Sequence, residues 1–593
     1  MNETQKPPMS GADLRRTILW VVFGTSLLFL WDKWQIYNGR PSLLLPGKPA
    51  VTATTTPAAA PAGVAATSDG SVPAGSPATA GAPAAAAAAA PVARKPVTLE
   101  TDTLRLLVDP VGGVVVRADL LEQLKTPEWK HAGLMALVNG ESPQAGSPVT
   151  LFENDAQHVY TAQSGVIRVE GAPNHTTPFT VVDGPKSTDG GATVTLKLAA
   201  EGGGLKVTKT FTLHRGRYDI DVAHQIENDG STAVSPAVYL QLVRDGSSPD
   251  GESGSQSRTF TGPALYTDAK KFQKVSFSDL DKDKASYDKK ASDGWIAMVQ
   301  HYFVTAWVPA NGEREYYVGK LDSGPAGTAC ATQSCYRIGM ILAGAPVAPG
   351  ATETVNAKLY AGPQDQGALE GLAPELDRVV DYGWLQPVAK PLFWLLQILH
   401  KAVANWGWAI ILLTVIVKLA FFPLSAASYK SMAKMKEVGP RLQKIREQYA
   451  DDKQKQQLAM MELYKTEKIN PVGGCLPILV QMPVFIALYW VLLGSVEMRN
   501  APWILWVKDL AAPDSWFILP ALMMASMWVQ YKLNPTPPDP VQAKVMAIMP
   551  IVFGAMMFFF PAGLVLYWTV NNLLSIGQQW AITKKFAQAK PVG

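Results

Sequence analysis

A single lysine lies in an otherwise apolar stretch of this chain. Residues 408–423 read WAIILLTVIVKLAFFP, in which the exceptions to apolar character are Thr414 and Lys418. A charge inside a membrane helix costs roughly 2.5–3.5 kcal/mol on insertion scales, and such residues usually face a protein interior or a water-filled cavity. Lys418 is therefore a candidate functional residue. The simpler alternative is that it lies near a helix end, from which its ammonium group reaches the lipid headgroups.

Further polar side chains fall in the same apolar segment and in later ones. Thr414 lies one helical turn before Lys418 on the same face. Gln481 belongs to a second segment, and Asn571 and Asn572 belong to the last. Taken singly, each could form a helix–helix hydrogen bond. Because each is costly when it faces lipid, we expect them to converge inside a helical bundle. None of the C-terminal apolar segments carries an acidic partner for Lys418, which favours an open, hydrated groove whose charge is available to a visiting molecule.

Composition and motifs exclude several classes of protein. The 593 residues are too many for one compact domain. With 48% hydrophobic and 17% charged residues, the chain is typical of membrane segments combined with a soluble part. A net charge of +4 is too small to indicate a specific nucleic-acid sequence as partner. No Gly-rich phosphate loop, nucleophile elbow or metal-ligand spacing is visible, so we expect no enzyme activity, no cofactor and no metal.

Two of the three cysteines are close in sequence. Cys330 and Cys335 have four residues between them in a polar segment, and Cys475 opens an apolar one. In an oxidising compartment, Cys330 and Cys335 could pair across a small loop. Two free thiols are the alternative.

The N-terminal region predicts an anchor and a tether. Residues 17–31 are apolar, follow Arg15 and Arg16, and precede no small-residue cleavage site. We therefore expect an uncleaved transmembrane anchor within residues 1–40, with its N-terminus in the cytoplasm. Residues 41–96 are rich in Ala, Pro, Gly, Ser and Thr, which predicts a disordered periplasmic tether because such a segment cannot bury a core.

Residues 97–370 show the period-two pattern of strands. Runs such as Leu104–Val108 and Leu205–Leu213 alternate in polarity and are separated by turn signals such as Gly112-Gly113. Many such runs predict a large antiparallel sandwich. A folded domain used for protein contacts or as a spacer is favoured over a ligand cleft.

The C-terminal part is predicted to be helical. Residues 371–407 have leucines at helical spacing among tryptophans, which predicts an amphipathic helix at the membrane interface. Residues 408–593 contain five apolar segments, and residues 425–468 form a polar helical hairpin between the first two. The apolar segments are 408–423, 475–494, 515–531, 545–560 and 563–582.

Charge placement predicts the topology. Residues 425–474 hold ten Lys or Arg and six Asp or Glu, so we assign this loop to the cytoplasm. Six spans, counting the anchor, then place both termini in the cytoplasm and the β domain in the periplasm. The predicted fold class is a polytopic α-helical membrane protein of six spans that carries a large periplasmic all-β domain.

Five short motifs stand out in the helical part of the chain. They are NWG at 405–407, YKSMAKM at 429–435, NPVGGCLP at 470–477, QMPVF at 481–485 and FPAGLVLY at 560–567. These motifs resemble those of the YidC/Oxa/Alb membrane protein insertases. The anchor and β domain resemble those of Gram-negative members of that family. The resemblance covers nearly the whole chain and is most specific over residues 405–582.

The resemblance implies a membrane protein insertase and chaperone of the bacterial inner membrane. Its five-helix core would form a hydrophilic groove, and its periplasmic domain would be a β-supersandwich. The implied partners are nascent membrane proteins, the lipid bilayer, and the Sec translocon with its accessory subunits. Residues 425–468 would be a flexible entry region. The positions that match the family's substrate contacts are Thr414, Phe485, Tyr567 and Trp568.

Two features depart from the family pattern. The groove charge is usually arginine in the family, whereas this chain has Lys418, which keeps the charge but loses the guanidinium fork. The long basic C-terminal tail of some members is absent, so ribosome contact would use the cytoplasmic loops.

Two other functions remain open on sequence grounds. A secondary transporter or channel for a small solute would also use intramembrane polar residues, although it predicts inverted repeats that the sequence does not display. The third possibility is a periplasmic sugar-binding or assembly module that the spans merely anchor.

Overall fold

The computed structural model describes residues 95–125, 146–249, 260–310, 312–321, 324, 328–450, 452–467, 476–534 and 540–588. The predicted anchor and nearly all of the predicted tether lie outside these residues. The chain divides into two compact units, and the boundary near the C-terminal part falls between Val380 and Asp381. We refer to them as the β unit and the helical unit.

The β unit consists mainly of antiparallel strands. Their bounds are β1 Val97–Glu100, β2 Leu104–Asp109, β3 Val114–Leu124, β4 Pro148–Thr150, β5 Glu153–Asn154, β6 Val159–Ile167, β7 Thr180–Thr188, β8 Thr193–Gly202, β9 Leu205–His214, β10 Asp219–Asn228, β11 Ala237–Asp245, β12 Gly262–Thr267, β13 Lys271–Lys274, β14 Lys290–Ala291, β15 Trp295–Gln300, β16 Phe303–Pro309, β17 Arg314–Leu321, β18 Cys335–Ala343 and β19 Thr352–Pro363. Two short helices, α1 Phe277–Asp281 and α2 Gln366–Leu372, belong to the same unit.

These strands form two sheets. One has the order β1-β2-β3-β6-β11-β18-β17-β14, with β4 beside β3 and β5 beside β6. The other has the order β13-β12-β15-β16-β19-β10-β9-β8-β7. Alternating side chains from both sheets fill a common apolar core. The prediction of a large all-β domain is confirmed.

Local sequence explains why the strands turn where they do. Gly112 and Gly113, between β2 and β3, both have positive φ, of 77° and 57°. A side chain at Gly112 would also overlap the backbone of His175. Glycine is therefore required at this turn for both conformation and space.

The β unit extends beyond the predicted limit at residue 370. Leu376 and Val379 are buried in a cluster that also contains Trp295 and Leu369. The predicted interfacial helix is correspondingly shorter than residues 371–407, because α3 spans Gln386–Val403.

The helical unit contains eight α-helices among its described residues. After α3 they are α4 Trp406–Ala420, α5 Phe422–Gln448, α6 Lys453–Thr466, α7 Leu476–Gly494, α8 Ile518–Leu533, α9 Pro540–Met556 and α10 Ala562–Gln588. Four of the five predicted apolar segments overlap one helix each, and the segment 408–423 overlaps both α4 and α5. Within the described residues, no single helix is both long and apolar enough to cross a membrane, whereas α4 and α5 pass that test as a pair bent by 66°.

The start of α4 is fixed by the Asn-Trp-Gly motif. The Asn405 side chain accepts a hydrogen bond from the Trp408 amide at 3.1 Å, which caps the helix. The Asn405 amide group also donates to the Trp503 carbonyl at 3.2 Å. Gly407 lies beneath the Trp503 ring, and a side chain there would overlap that ring. The motif therefore joins α4 to the loop that follows α7.

The segment predicted as a hairpin, 425–468, contains most of α5 and all of α6. Val438 and Leu442 of α5 are buried in a small cluster to which Met460 and Leu463 of α6 contribute. Asp452 caps α6 by accepting the Lys455 amide hydrogen at 3.0 Å. The two arms therefore hold each other through an apolar seam.

Candidate functional site

Lys418 lies in the last turn of α4 and is only 5% exposed. Its Nζ donates a hydrogen bond to the Ser575 Oγ on α10 at 2.7 Å. Among the described residues, Lys418 has no carboxylate within ion-pair distance. The structure therefore differs from the expected open, hydrated position, because α10 supplies a hydroxyl partner that covers the ammonium group.

Ser575 has two further neighbours. Its hydroxyl donates to the Asn571 carbonyl at 2.7 Å, one turn earlier on α10. The Tyr429 side chain, in α5, lies beside Ser575. The serine therefore lies where α4, α5 and α10 meet at the level of the buried lysine.

Thr414 does not share a hydrogen bond with Lys418. It is buried, and its hydroxyl donates to the Ile410 carbonyl in its own helix at 2.7 Å. This internal bond satisfies the hydroxyl hydrogen. Thr414 therefore adds a buried oxygen near the lysine but no second donor directed across the bundle.

The other predicted polar residues converge on α10. The Gln481 amide group donates to the Asn571 side-chain oxygen at 3.1 Å, and the Gln481 side chain lies beside Tyr567. Asn572 donates to the Ser526 hydroxyl of α8 at 3.3 Å. The structure thus brings all the predicted groove polar residues except Thr414 into interhelical hydrogen bonds.

The aromatic residues expected to contact substrate form a cluster beside these bonds. The Phe485 ring stacks on Trp568 with centroids 4.1 Å apart and lies 6.1 Å from Tyr567. Phe553 meets the edge of Trp568 at 4.4 Å. Tyr567 is buried, whereas Phe485 and Trp568 are partly exposed. The cluster therefore presents an apolar surface next to a polar interior.

Comparison with known proteins identifies the family. The model of the 60Kd inner membrane protein matches residues 398–589, and the model of the YidC periplasmic domain matches residues 96–395. The membrane protein insertase YidC of Bordetella parapertussis is 54% identical, over 96% of this chain and 98% of its own length. The chain belongs to the YidC family of membrane protein insertases. The family member of Cupriavidus taiwanensis is 50% identical, over 98% of this chain and 99% of its own.

A solved structure has also been found to resemble this chain. It is an active YidC insertase with its first transmembrane domain resolved. The match covers 82% of this chain and 92% of the solved chain, with 19% sequence identity and a TM-score of 0.37. The matched family models describe an inner membrane protein with a periplasmic domain. YidC insertases are not enzymes.

Sequence reasoning missed Ser575 and Tyr429. Asn571, Ser575 and Gln579 follow one another at intervals of four residues, which places them along one face of α10. Extending the polar face from Asn571 by one turn would have found Ser575. Tyr429 carried no such signal, because its partner is set by the bend between α4 and α5.

Cys330 and Cys335 belong to the β unit rather than to this polar cluster. They form a disulfide, and both residues are buried. No group of His, Cys, Asp or Glu side chains suited to a metal ion occurs among the described residues.

The β unit also buries a lysine that sequence reasoning overlooked. Lys209 on β9 is fully buried, and its Nζ donates to the carbonyls of Gly112 at 2.5 Å and Ser164 at 2.7 Å. Burial lowers the pKa of Lys209 from 10.5 to about 7. The alternation of β9 puts position 209 on the same face as Val207 and Phe211, so this signal was present in the sequence.

Proposed function

We propose that this protein inserts integral membrane proteins into the inner membrane and helps them fold, alone or with the Sec translocon. The observation that carries the proposal is the buried hydrogen bond between Lys418 and Ser575. It occurs in a chain that is 54% identical to an insertase over 96% of its length. In this proposal the polar residues around α10 form the wall of a groove that receives hydrophilic parts of a client. The clients are nascent membrane proteins.

The chemistry of the Lys418 contact supports this role. The Ser575 hydroxyl is a neutral acceptor of the Lys418 hydrogen bond, whereas a client carboxylate would accept the same bond and add the attraction between opposite charges. Exchange of the Ser575 hydroxyl for an acidic client residue is therefore favourable once the helices part. In the low-dielectric interior of the bundle, the attraction between the two charges is also stronger than in water.

The apolar cluster supports the second half of the process. Phe485 and Trp568 are partly exposed next to the polar interior, so a client helix can bury apolar surface there while its polar end stays in the groove. Transfer of that helix into lipid then supplies the driving force, since hydrophobic burial is favourable in proportion to apolar area. No nucleotide is needed.

We assign the topology from the charge pattern. Six spans place both termini in the cytoplasm and the β unit in the periplasm, with α3 at the outer membrane interface and the hairpin of α5 and α6 in the cytoplasm. Partners in the cytoplasm would be ribosomes, contacted by the basic loops. The Sec translocon and its accessory subunits would be partners at the membrane.

Replacement of Lys418 tests the proposal. A client with an acidic tail, and the same client with Asn and Gln in that tail, would be inserted into proteoliposomes and scored by protease protection. We expect K418A and K418E to slow the acidic client by roughly tenfold or more, because one charge-assisted hydrogen bond is worth about 1.5–3 kcal/mol. K418R should retain most of the activity.

The matched control is K436A, which removes an exposed lysine of α5. It should insert both clients at the parent rate. If K418A and K418E insert the acidic client as well as the parent does, the groove-charge mechanism is wrong and Lys418 merely extends to the headgroups.

A further inference from the structure

The Ser575 hydroxyl can meet Lys418 only as an acceptor. A serine hydroxyl has one hydrogen and two lone pairs. The hydrogen goes to the Asn571 carbonyl at 2.7 Å, so the Ser575 oxygen meets Lys418 as an acceptor, also at 2.7 Å. The internal bond to Asn571 therefore fixes the direction in which Ser575 can receive a donor.

We propose that Ser575 is a positioning residue that holds the Lys418 ammonium group inside the bundle, where a client carboxylate can reach it. The inference rests on the proposed insertase function. It concerns how the charge is placed rather than whether a charge is used.

Lys418 needs a positioning residue because its flexible side chain can adopt other conformations. A lysine side chain is a flexible four-carbon stem with a strongly hydrated head. Lys418 lies in the last turn of α4, so without an internal acceptor its head could extend past the helix end to the headgroup region. The nearby Thr414 hydroxyl hydrogen is already committed to Ile410. Among the described residues, Ser575 is the hydrogen-bond partner that keeps the ammonium group inside.

The test uses the full-length protein in proteoliposomes with the acidic and the amide-tailed clients described above. We expect S575A to slow insertion of the acidic client roughly fivefold, as for the loss of one hydrogen bond, and to leave the amide-tailed client within about twofold of the parent. S575T should restore the parent rate because it returns the hydroxyl.

Two further variants separate positioning from general stability. S526A removes another buried serine hydroxyl that bonds with α10, through Asn572, but does not contact Lys418. It should affect both clients alike. The double variant K418A/S575A should be no slower with the acidic client than K418A alone, because residues that act as one unit are not additive.

The outcomes are distinguishable. If S575A slows both clients equally, or neither, Ser575 is not a positioning residue, while the proposed function still stands on the effect of K418A. If K418A itself leaves the acidic client unaffected, both the groove-charge mechanism of the proposed function and this inference fail. The inference is supported if S575A slows the acidic client more than the amide-tailed client and S575T restores the parent rate.

Discussion

The two lysines that are buried among the described residues differ in their surroundings. Lys209 donates to two backbone carbonyls and lies 5.0 Å from the centre of the Phe179 ring. Lys418 donates to one side-chain hydroxyl. A serine side chain can change its partner more readily than the backbone of a folded sheet domain can. Lys209 therefore serves the structure of the β unit, whereas the proposed function makes Lys418 the residue that meets a client.

The buried bases of the β unit make its stability depend on pH. Between pH 7 and 10.5 the unfolded chain keeps the Lys209 proton and the folded chain releases it, so stability falls as the pH is lowered through this window. Burial also lowers the pKa of His175 and of His224 from 6.5 to about 3. Stability should therefore fall again between pH 6.5 and 3.

We expect K209M to remove the upper of these two windows. The parent should lose up to about 1.4 kcal/mol of stability per pH unit there, and the variant should lose less. Amide hydrogen exchange of residues 205–228 in the full-length protein, corrected for intrinsic rates, measures this slope. K197M, which replaces an exposed lysine on β8, should keep the parent slope. An unchanged slope in K209M would contradict the assignment.

At the element scale, Gly407 controls how α4 meets the loop after α7. Asn405 holds the carbonyls of Pro502 and Trp503, so the Trp503 ring over Gly407 cannot simply move away. A methyl group at position 407 would overlap this ring. Overpacking of this kind typically lowers the stability by about 1–3 kcal/mol. The higher helix propensity of alanine relative to glycine offsets about 1 kcal/mol of this loss.

We therefore expect G407A to lower the thermal midpoint of the purified protein. The measurement is scanning fluorimetry of intrinsic tryptophan in detergent. G439A on α5 is the matched control, because a side chain there meets nothing within 4 Å. It should leave the midpoint unchanged or raise it. If G407A is as stable as G439A, the loop after α7 is free to adjust and does not fix the start of α4.

The elements were easier to predict than their contacts. The alternation of apolar and polar residues predicted the strands, because one face of a strand packs on the core and the other faces solvent. The compact β unit ends at Val380 rather than at the predicted residue 370, because the burial of Leu376 and Val379 depends on distant strands. Likewise, Ser575 and Tyr429 meet across three helices, and a serine or tyrosine in a helix does not reveal its partner by its type.

At the scale of the whole molecule, each unit has its own means of staying folded. The β unit has a core between two sheets. The helical unit joins its helices through polar contacts of α10, with Gln481 on α7, Lys418 on α4 and Ser526 on α8. Because the polar contacts and the aromatic cluster lie wholly in the helical unit, the proposed function requires no side chain of the β unit.

Deletion of residues 97–380 should therefore leave insertion of the acidic client close to the parent rate. The deletion ends at Val380 rather than at residue 370, because a cut at 370 would leave the apolar Leu376 and Val379 without their core. Proteoliposome insertion measures the rate, and K418A in the shortened chain should lower it as in the full chain. If the shortened protein folds but inserts neither client, the β unit carries the function and the helices merely anchor it.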